Sequence, residues 1–350
     1  MTLAQRRGVL LLCALLPLLL LVTAVSLNVG ATGVHLTALW QSDAHGSLYA
    51  ERVVLTQIRG PRVVMAGLTG AALAVAGAVM QGLFRNPLAD PGLIGVSSGA
   101  ALATACMIVL GGAGLDVAVG GVHAFITGTA WSVPVAGTLG SFAAAWLLYR
   151  FATRGGMTSV SMILLAGVAL SAFAGALTGI LIFRANDAAL RDLTFGTMGS
   201  FAGATWARIG MLCPFLLVAA WITVGLAMPL NALLLGESDA RLMGYPVERI
   251  KRLAMLLVAC SVGPTVSFVG AIGFVGVVVP HLVRLVTGPD HRFVLPGSAL
   301  LGAALLIAAD TLARVIAMPA DVPVGIVTAV LGTPVFVWLL TRAHEREVLA

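Results

Sequence analysis

The sequence predicts an all-α polytopic membrane protein of about ten transmembrane helices, and three observations point to that class. Of 350 residues, 59% are of the AVILMFWYC type and 10% are charged, with a mean hydropathy of +1.04. A soluble domain carries about 25% charged residues, so water would not wet this surface. The apolar residues fall in uncharged runs of roughly 20, the length that crosses a ~30 Å hydrocarbon core as a helix. The runs are continuous rather than alternating, which excludes a transmembrane β-barrel. A soluble enzyme and a disordered chain are excluded with it.

The first run, Val9 to Leu27, follows Arg6 and Arg7. It exceeds the roughly 7–15 apolar residues of a cleaved signal peptide and reads as an uncleaved first span with both arginines in the cytoplasm. Further spans are expected at Val63–Gly82, Leu93–Gly112, Gly128–Tyr149, Val160–Phe183 and Ile209–Leu230. After a polar stretch come Leu253–Val269, Ala271–Val286, Phe293–Ala309 and Val324–Leu340. The joint Gly270-Ala-Ile-Gly273-Phe-Val-Gly276 leaves the pair within Leu253–Val286 open: two short helices or one bent one. Ten spans put both termini on one side. Placing that side in the cytoplasm assigns thirteen of the 20 Lys and Arg residues to inner segments and seven to outer ones, as the positive-inside tendency requires. The 41 glycines sit largely inside spans, where small residues let helix backbones approach closely. Residues 1–350 read as one transmembrane domain, with 231–250 as a cytoplasmic segment within it.

The chemistry is narrowed by what is missing. The single lysine, Lys251, lies in Arg249-Ile250-Lys251-Arg252, so no G-x-x-x-x-G-K-[ST] phosphate loop exists and nucleotide energy must come from a partner. Cys13, Cys106, Cys213 and Cys260 stand alone in apolar stretches, as small core or lipid-facing residues do. Gly95-Val96-Ser97-Ser98-Gly99 matches a nucleophile elbow, but it opens an apolar helix rather than a strand-to-helix turn. His344-Glu345 lacks the second histidine of a zinc helix, so no catalytic and no metal residues are assigned. Asp310 and Arg314, at i and i+4, suit a local ion pair. Only Arg284 among charged residues falls within the expected spans, which speaks against the buried ionisable groups of an ion-coupled carrier.

Three polar stretches remain. Leu230 to Pro246 reads as two short helices, with Gly236 ending the first and acids opening the second before Gly244 stops it. Such a pair fits the groove of a soluble partner, and the alternative is a structured loop. Arg85-Asn86-Pro87-Leu88-Ala89-Asp90-Pro91-Gly92 fixes an irregular turn at the membrane surface. Arg59-Gly60-Pro61-Arg62, with Arg314, forms a basic outer rim for lipid headgroups or for an acidic partner.

These stretches, with Gln81–Arg85, Leu165–Leu170, Gly273–Arg284, Asp290-His291-Arg292 and Pro323–Thr328, make the chain resemble, nearly end to end, the FecCD-type permease subunits of binding-protein-dependent ABC importers for haem, ferric siderophores and vitamin B12. The resemblance implies a type II ABC importer permease architecture: a homodimer in the bacterial inner membrane with the cargo path at its interface. It implies two cytoplasmic ATPase subunits, which carry the ATP-Mg; this chain holds no cofactor and is not an enzyme. Those subunits would dock on Leu235, Gly236, Glu237, Ser238, Ala240, Arg241, Leu242 and Gly244. A periplasmic binding protein would meet Arg59, Arg62 and Arg314, and the cytoplasmic gate would comprise Asn86 and Leu88, joined by Ser159 and Ser161. In one departure, Asp321 stands where the family usually has Glu before the Pro-Val-Gly motif, and this puts the local helix-end contact in doubt.

The chain looks most like the haem permeases of the family, with ferric siderophore or vitamin B12 as alternatives. Arg184 at the end of the fifth span and Arg191 within the short segment Ala185–Gly199, which should line the outer mouth, suit a cargo carboxylate or interfacial snorkelling. From other classes, an ion-coupled secondary transporter or an intramembrane hydrolase using Ser97 or Ser98 would each need no ATPase.

Overall fold

A computed structural model describes residues 3–30, 47–112, 131–316, 318 and 320–348. Among them, seven helices are long and apolar enough to cross a membrane, and three shorter apolar helices accompany them. Each of the ten expected spans has a helix on it. In chain order these are α1 (Leu3–Asn28), α2 (Ser47–Val53) continuing through a π-helical turn (Val54–Arg59) into α3 (Gly60–Phe84), a 3-10 turn (Pro91–Ile94), α4 (Val96–Gly112) and α5 (Ser132–Ala152). A hairpin of β1 (Thr153–Arg154) and β2 (Met157–Thr158) leads to α6 (Val160–Arg184), α7 (Asp187–Met198), α8 (Trp206–Leu235) and α9 (Glu237–Leu242). The chain ends with α10 (Val247–Val269), α11 (Val275–Thr287), α12 (His291–Ile316) and α13 (Val324–Val348). The first three residues of the expected span Gly128–Tyr149 lie outside the described residues.

The open question over Leu253–Val286 is settled in favour of two helices. Gly270 (φ 82°) and Phe274 (φ 68°) take left-handed backbone, which an α-helix cannot include. A Cβ on Gly270 would also strike the carbonyl of Gly196.

The chain packs as two compact units. The first comprises residues 1–78, 200–209 and 272–350, and the second 79–199 and 210–271. Within the first, α1 packs on α11 and α12, and α13 packs on both of those. Its backbones meet at glycine: a Cβ on Gly70 would overlap the Gly302 carbonyl, and one on Gly77 the Gly276 carbonyl. Within the second unit, α4 packs on α5, α6 and α10. Gly99 and Gly140 cross there, their added Cβ atoms 2.8 and 2.6 Å from each other's carbonyl oxygen. Lipid supplies no hydrophobic drive between helices, so such close approach is what holds them. Proline lies inside α1 (Pro17), α8 (Pro214, Pro229), α10 (Pro264), α11 (Pro280) and α12 (Pro296), as membrane helices allow more readily than soluble ones.

Gly70→Ala is expected to lower the stability of the detergent-solubilised protein by about 1–3 kcal/mol, as overpacking does. Gly225→Ala, where a Cβ meets nothing within 4 Å, serves as the matched control in thermal unfolding and should not lower it.

Candidate functional site

The polar segment after α8 is built differently from its expected form. No separate first short helix exists: α8 runs unbroken for 30 residues to Leu235, because Leu230, Ala232 and Leu233 continue its buried face. Gly236 (φ 135°) breaks it and Gly244 (φ 86°) follows α9, backbone that glycine adopts without strain. Glu237 and Asp239 open α9, where acids complement the helix dipole. Ala240 is fully buried, while Leu235, Leu242 (87% exposed) and Met243 stand out. Ser238, Arg241 and Gly244 are exposed as well.

Beneath α9 lies a cluster that sequence reading missed. Lys251 is 2% exposed. Its Nζ donates to the Thr158 carbonyl (2.6 Å), to Glu237 Oε2 (2.9 Å) and to Glu248 Oε1 (3.4 Å). An ammonium has three N–H donors, and three acceptors meet them. A buried ammonium costs several kcal/mol unless it is paired and hydrogen-bonded; this one is both. Glu248 Oε2 accepts from the Thr158 N–H at 2.9 Å, so both backbone groups of Thr158 are held by the first turns of α10. Arg241 closes the cluster at 3.3 Å from Glu248 and 3.7 Å from Glu237. The sequence signal for Lys251 was its uniqueness, read only as the lack of a phosphate loop. The signal for the hairpin beside it was Gly155-Gly156 between Thr153-Arg154 and Met157-Thr158, a two-residue turn with positive φ at both positions.

Ser159 follows Thr158 and caps α6, its Oγ accepting from the Met162 N–H at 3.4 Å; Ser161 is exposed in the first turn. The other expected gate turn begins where α3 ends, at Arg85 (φ 51°). Asn86 Oδ1 accepts from the Leu88 N–H (2.9 Å) and Asp90 Oδ1 from the Gly92 N–H (2.7 Å). Burial pushes the Asp90 carboxyl above its usual range, against the opposing pull of the Gly92 N–H. Asn86 is exposed and Leu88 half-buried. Each turn is closed by its own bonds. They approach through their helices, where Gly95, at the end of the 3-10 turn, lies against Gly167 and Leu170 of α6.

The basic rim of Arg59, Arg62 and Arg314 requires correction, because their guanidinium groups do not stand free. Arg59 donates to the carbonyls of Leu27 (2.6 Å) and Asn28 (3.0 Å), and Arg314 to Ser26 Oγ (2.7 Å) and the Val29 carbonyl (3.0 Å). The carbonyls that end α1 have no intrahelical donor, and these two arginines supply one. Arg62 holds Asp310 at 3.0 Å and Asp321 at 2.8 Å, so the shorter Asp321 does keep a helix-end contact. The Asp310–Arg314 pair forms at 3.2 Å. Asp310 is 1% exposed, and the helices run longer than the expected spans, so four of these charges lie within apolar helices. The π-helical turn that delivers Arg59 leaves the Thr56 carbonyl to accept from Trp206 Nε1 at 2.8 Å.

Arg184 ends α6 and Arg191 lies on α7; both are exposed. The segment expected to line a mouth is thus itself a helix, capped by Asn186, whose Oδ1 accepts from the Ala189 N–H at 2.9 Å. It buries Ala189 and Leu193 against Ala105 and Val109 of α4. Among the described residues no group of three or more His, Cys, Asp or Glu is arranged to hold a metal ion.

The FecCD transport family model matches residues 18–342. The hemin transport system permease protein of Yersinia pestis is 40% identical over 333 residues, covering 95% of this chain and 96% of that one. The vitamin B12 import system permease protein of Salmonella typhi is 40% identical over 339 residues, 97% of each chain. A solved inward-facing structure assigned to the metal-chelate type of ABC transporter superposes with a TM-score of 0.81 at 30% identity, over 95% of this chain and 98% of the other.

Asp310→Asn leaves Arg62 without its buried carboxylate and is expected to destabilise the protein by about 3–5 kcal/mol, as breaking a buried pair does, read as a lowered unfolding temperature in detergent. Arg191→Ala, on an exposed side chain, is the neutral comparison.

Proposed function

This chain belongs to the FecCD transport family, and from that premise we propose that it is the membrane-spanning subunit of a binding-protein-dependent ABC importer for an iron chelate, haem in particular. It is a multi-pass transport permease rather than an enzyme. The observation that carries the reading is α9: six helical residues between two long apolar helices, hinged at glycine on either side and presenting Leu235, Leu242 and Met243 to solvent. A short exposed apolar ridge edged with charge suits the groove of a cytoplasmic ATPase, with apolar contact for affinity and Glu237, Ser238 and Arg241 for register.

In this reading two copies of the chain form a homodimer in the bacterial inner membrane with their termini in the cytoplasm. The face of α6 that stays exposed among the described residues, including Leu165, Phe173 and Ile180, supplies the contact. Two ATPase subunits carry ATP-Mg, and their closure draws on α9. The Asn86–Leu88 turn and the Ser159–Ser161 turn then move with α3 and α6 to open or close the inner end of the path. A periplasmic binding protein delivers cargo at the outer face, whose shape the Arg59, Arg62 and Arg314 contacts fix. Arg184 and Arg191, exposed and cationic, suit the two propionates of haem.

Replacing Leu242 by Asp should abolish co-purification of the ATPase subunit while the permease still inserts. Retained co-purification, or uptake into vesicles that proceeds on an ion gradient with no ATP, would count against an ABC permease. Arg184→Ala with Arg191→Ala should lower haem uptake more than ATP hydrolysis by the complex; equal effects would remove both from the cargo path.

A further inference from the structure

The contact between α9 and α10 identifies a residue whose role exceeds docking. We propose that Lys251 is the positioning residue that carries displacement of α9 to the N-terminus of α6, so that hydrolysis and transport remain linked through one buried ammonium. The inference rests on the coupling role given to α9 above.

Two routes lead away from α9. The covalent route is soft: Gly236 and Gly244 bracket it in backbone conformations only glycine favours, and a Cβ on Gly244 would meet nothing within 4 Å. A pull on α9 is therefore absorbed by rotation at the two glycines. The non-covalent route is stiff. Glu237, the first residue of α9, bonds Lys251 at 2.9 Å, and Lys251 bonds the Thr158 carbonyl at 2.6 Å. The same peptide region is fixed from its other side, since the Thr158 N–H donates to Glu248. Thr158 is 3% exposed and its neighbour Ser159 caps α6, so a shift in Thr158 is a shift in where α6 starts. Ala240 gives α9 a second buried contact, but a methyl group slides where a hydrogen bond does not.

The residue type fits this task. Three acceptors from three different elements converge on one point, and a compact ammonium with three rotatable donors meets them, where a planar guanidinium fork would not. The chain otherwise uses arginine throughout; its one lysine is here.

The test uses the full permease with its ATPase and binding-protein partners in proteoliposomes, with haem as the probe, and reads haem delivered per ATP hydrolysed. Lys251→Met and Glu237→Gln should each lower that ratio at least about fivefold, the lower end of ordinary coupling between sites. The double variant should fall no further than the worse single, since both remove the same link. A purely structural role for Lys251 would lower uptake and hydrolysis together with the amount of folded complex and leave the ratio unmoved. An unchanged ratio in Lys251→Met, or additive losses in the double variant, overturns the proposal. If Lys251→Met fails to assemble, Glu237→Gln decides alone, because that carboxylate is partly exposed and its loss leaves Lys251 two partners; a wild-type ratio there overturns it. A wild-type complex that takes up no haem on ATP addition defeats the functional reading and not this one.

Discussion

Inside a bilayer no solvent completes a hydrogen bond, so every charge and every interrupted helix must find its partners within the chain. That constraint accounts for the polar cluster around Asp310, and it sets that cluster apart from the one around Lys251 beside the exposed α9. Around Asp310 the groups are closed in: Arg62 and Arg314 share the carboxylate, while Arg59 and Arg314 supply donors to the final carbonyls of α1. Nothing in that arrangement can slip without exposing a buried charge. Around Lys251 the ammonium and Thr158 are buried, yet Glu237 and Arg241 remain partly in contact with solvent. The first cluster therefore fixes helix ends. The second holds one helix to another through groups that water can still reach.

Glycine does for the backbone what these clusters do for charge. At Gly70–Gly302 and Gly77–Gly276 two main chains touch, which gives dispersion contact along helices that lipid does not press together. The glycines of α6 behave otherwise. Gly175 and Gly179 meet nothing within 4 Å, and the large apolar residues around them are exposed. The same residue type thus marks a finished contact in one helix and, among the described residues, an open face in another.

How much of this was legible in sequence follows from the range of the forces involved. The helices were readable because an uncharged apolar run needs only its own length to declare itself, and so was the Asp310–Arg314 pair, four residues apart on one helix. The end of α8 was misplaced because Gly236 looked like the second of two breaks, whereas the buried Leu230 and Leu233 carry the helix straight to it. The basic rim was misread for a related reason. Arg62 meets Asp310 and Asp321 across some 250 residues of chain, and spacing shows nothing at that range. Lys251 escaped notice because two of its three partners are a backbone carbonyl and a carboxylate 14 residues away; Glu248, three residues before it on α10, was the local signal. The Gly155-Gly156 turn could have been found, since positive φ at two successive positions is a local requirement.

The exposure gradient along the Lys251 contacts argues for where such a linkage yields. Thr158 and Lys251 are buried, and separating them would leave an ammonium short of a partner in a place water does not reach, at the full desolvation cost of a charged group. Glu237 is 34% exposed on its side chain, so water can take the ammonium's place on that carboxylate, while Lys251 keeps Glu248 and the Thr158 carbonyl. Load applied at α9 would therefore be transmitted until the Glu237 contact lets go, leaving the Thr158 clamp intact. A tie that fails at its wet end can re-form without refolding anything beneath it. That is the property a repeatedly cycled joint requires, and it follows from which atoms are buried rather than from any added mechanism.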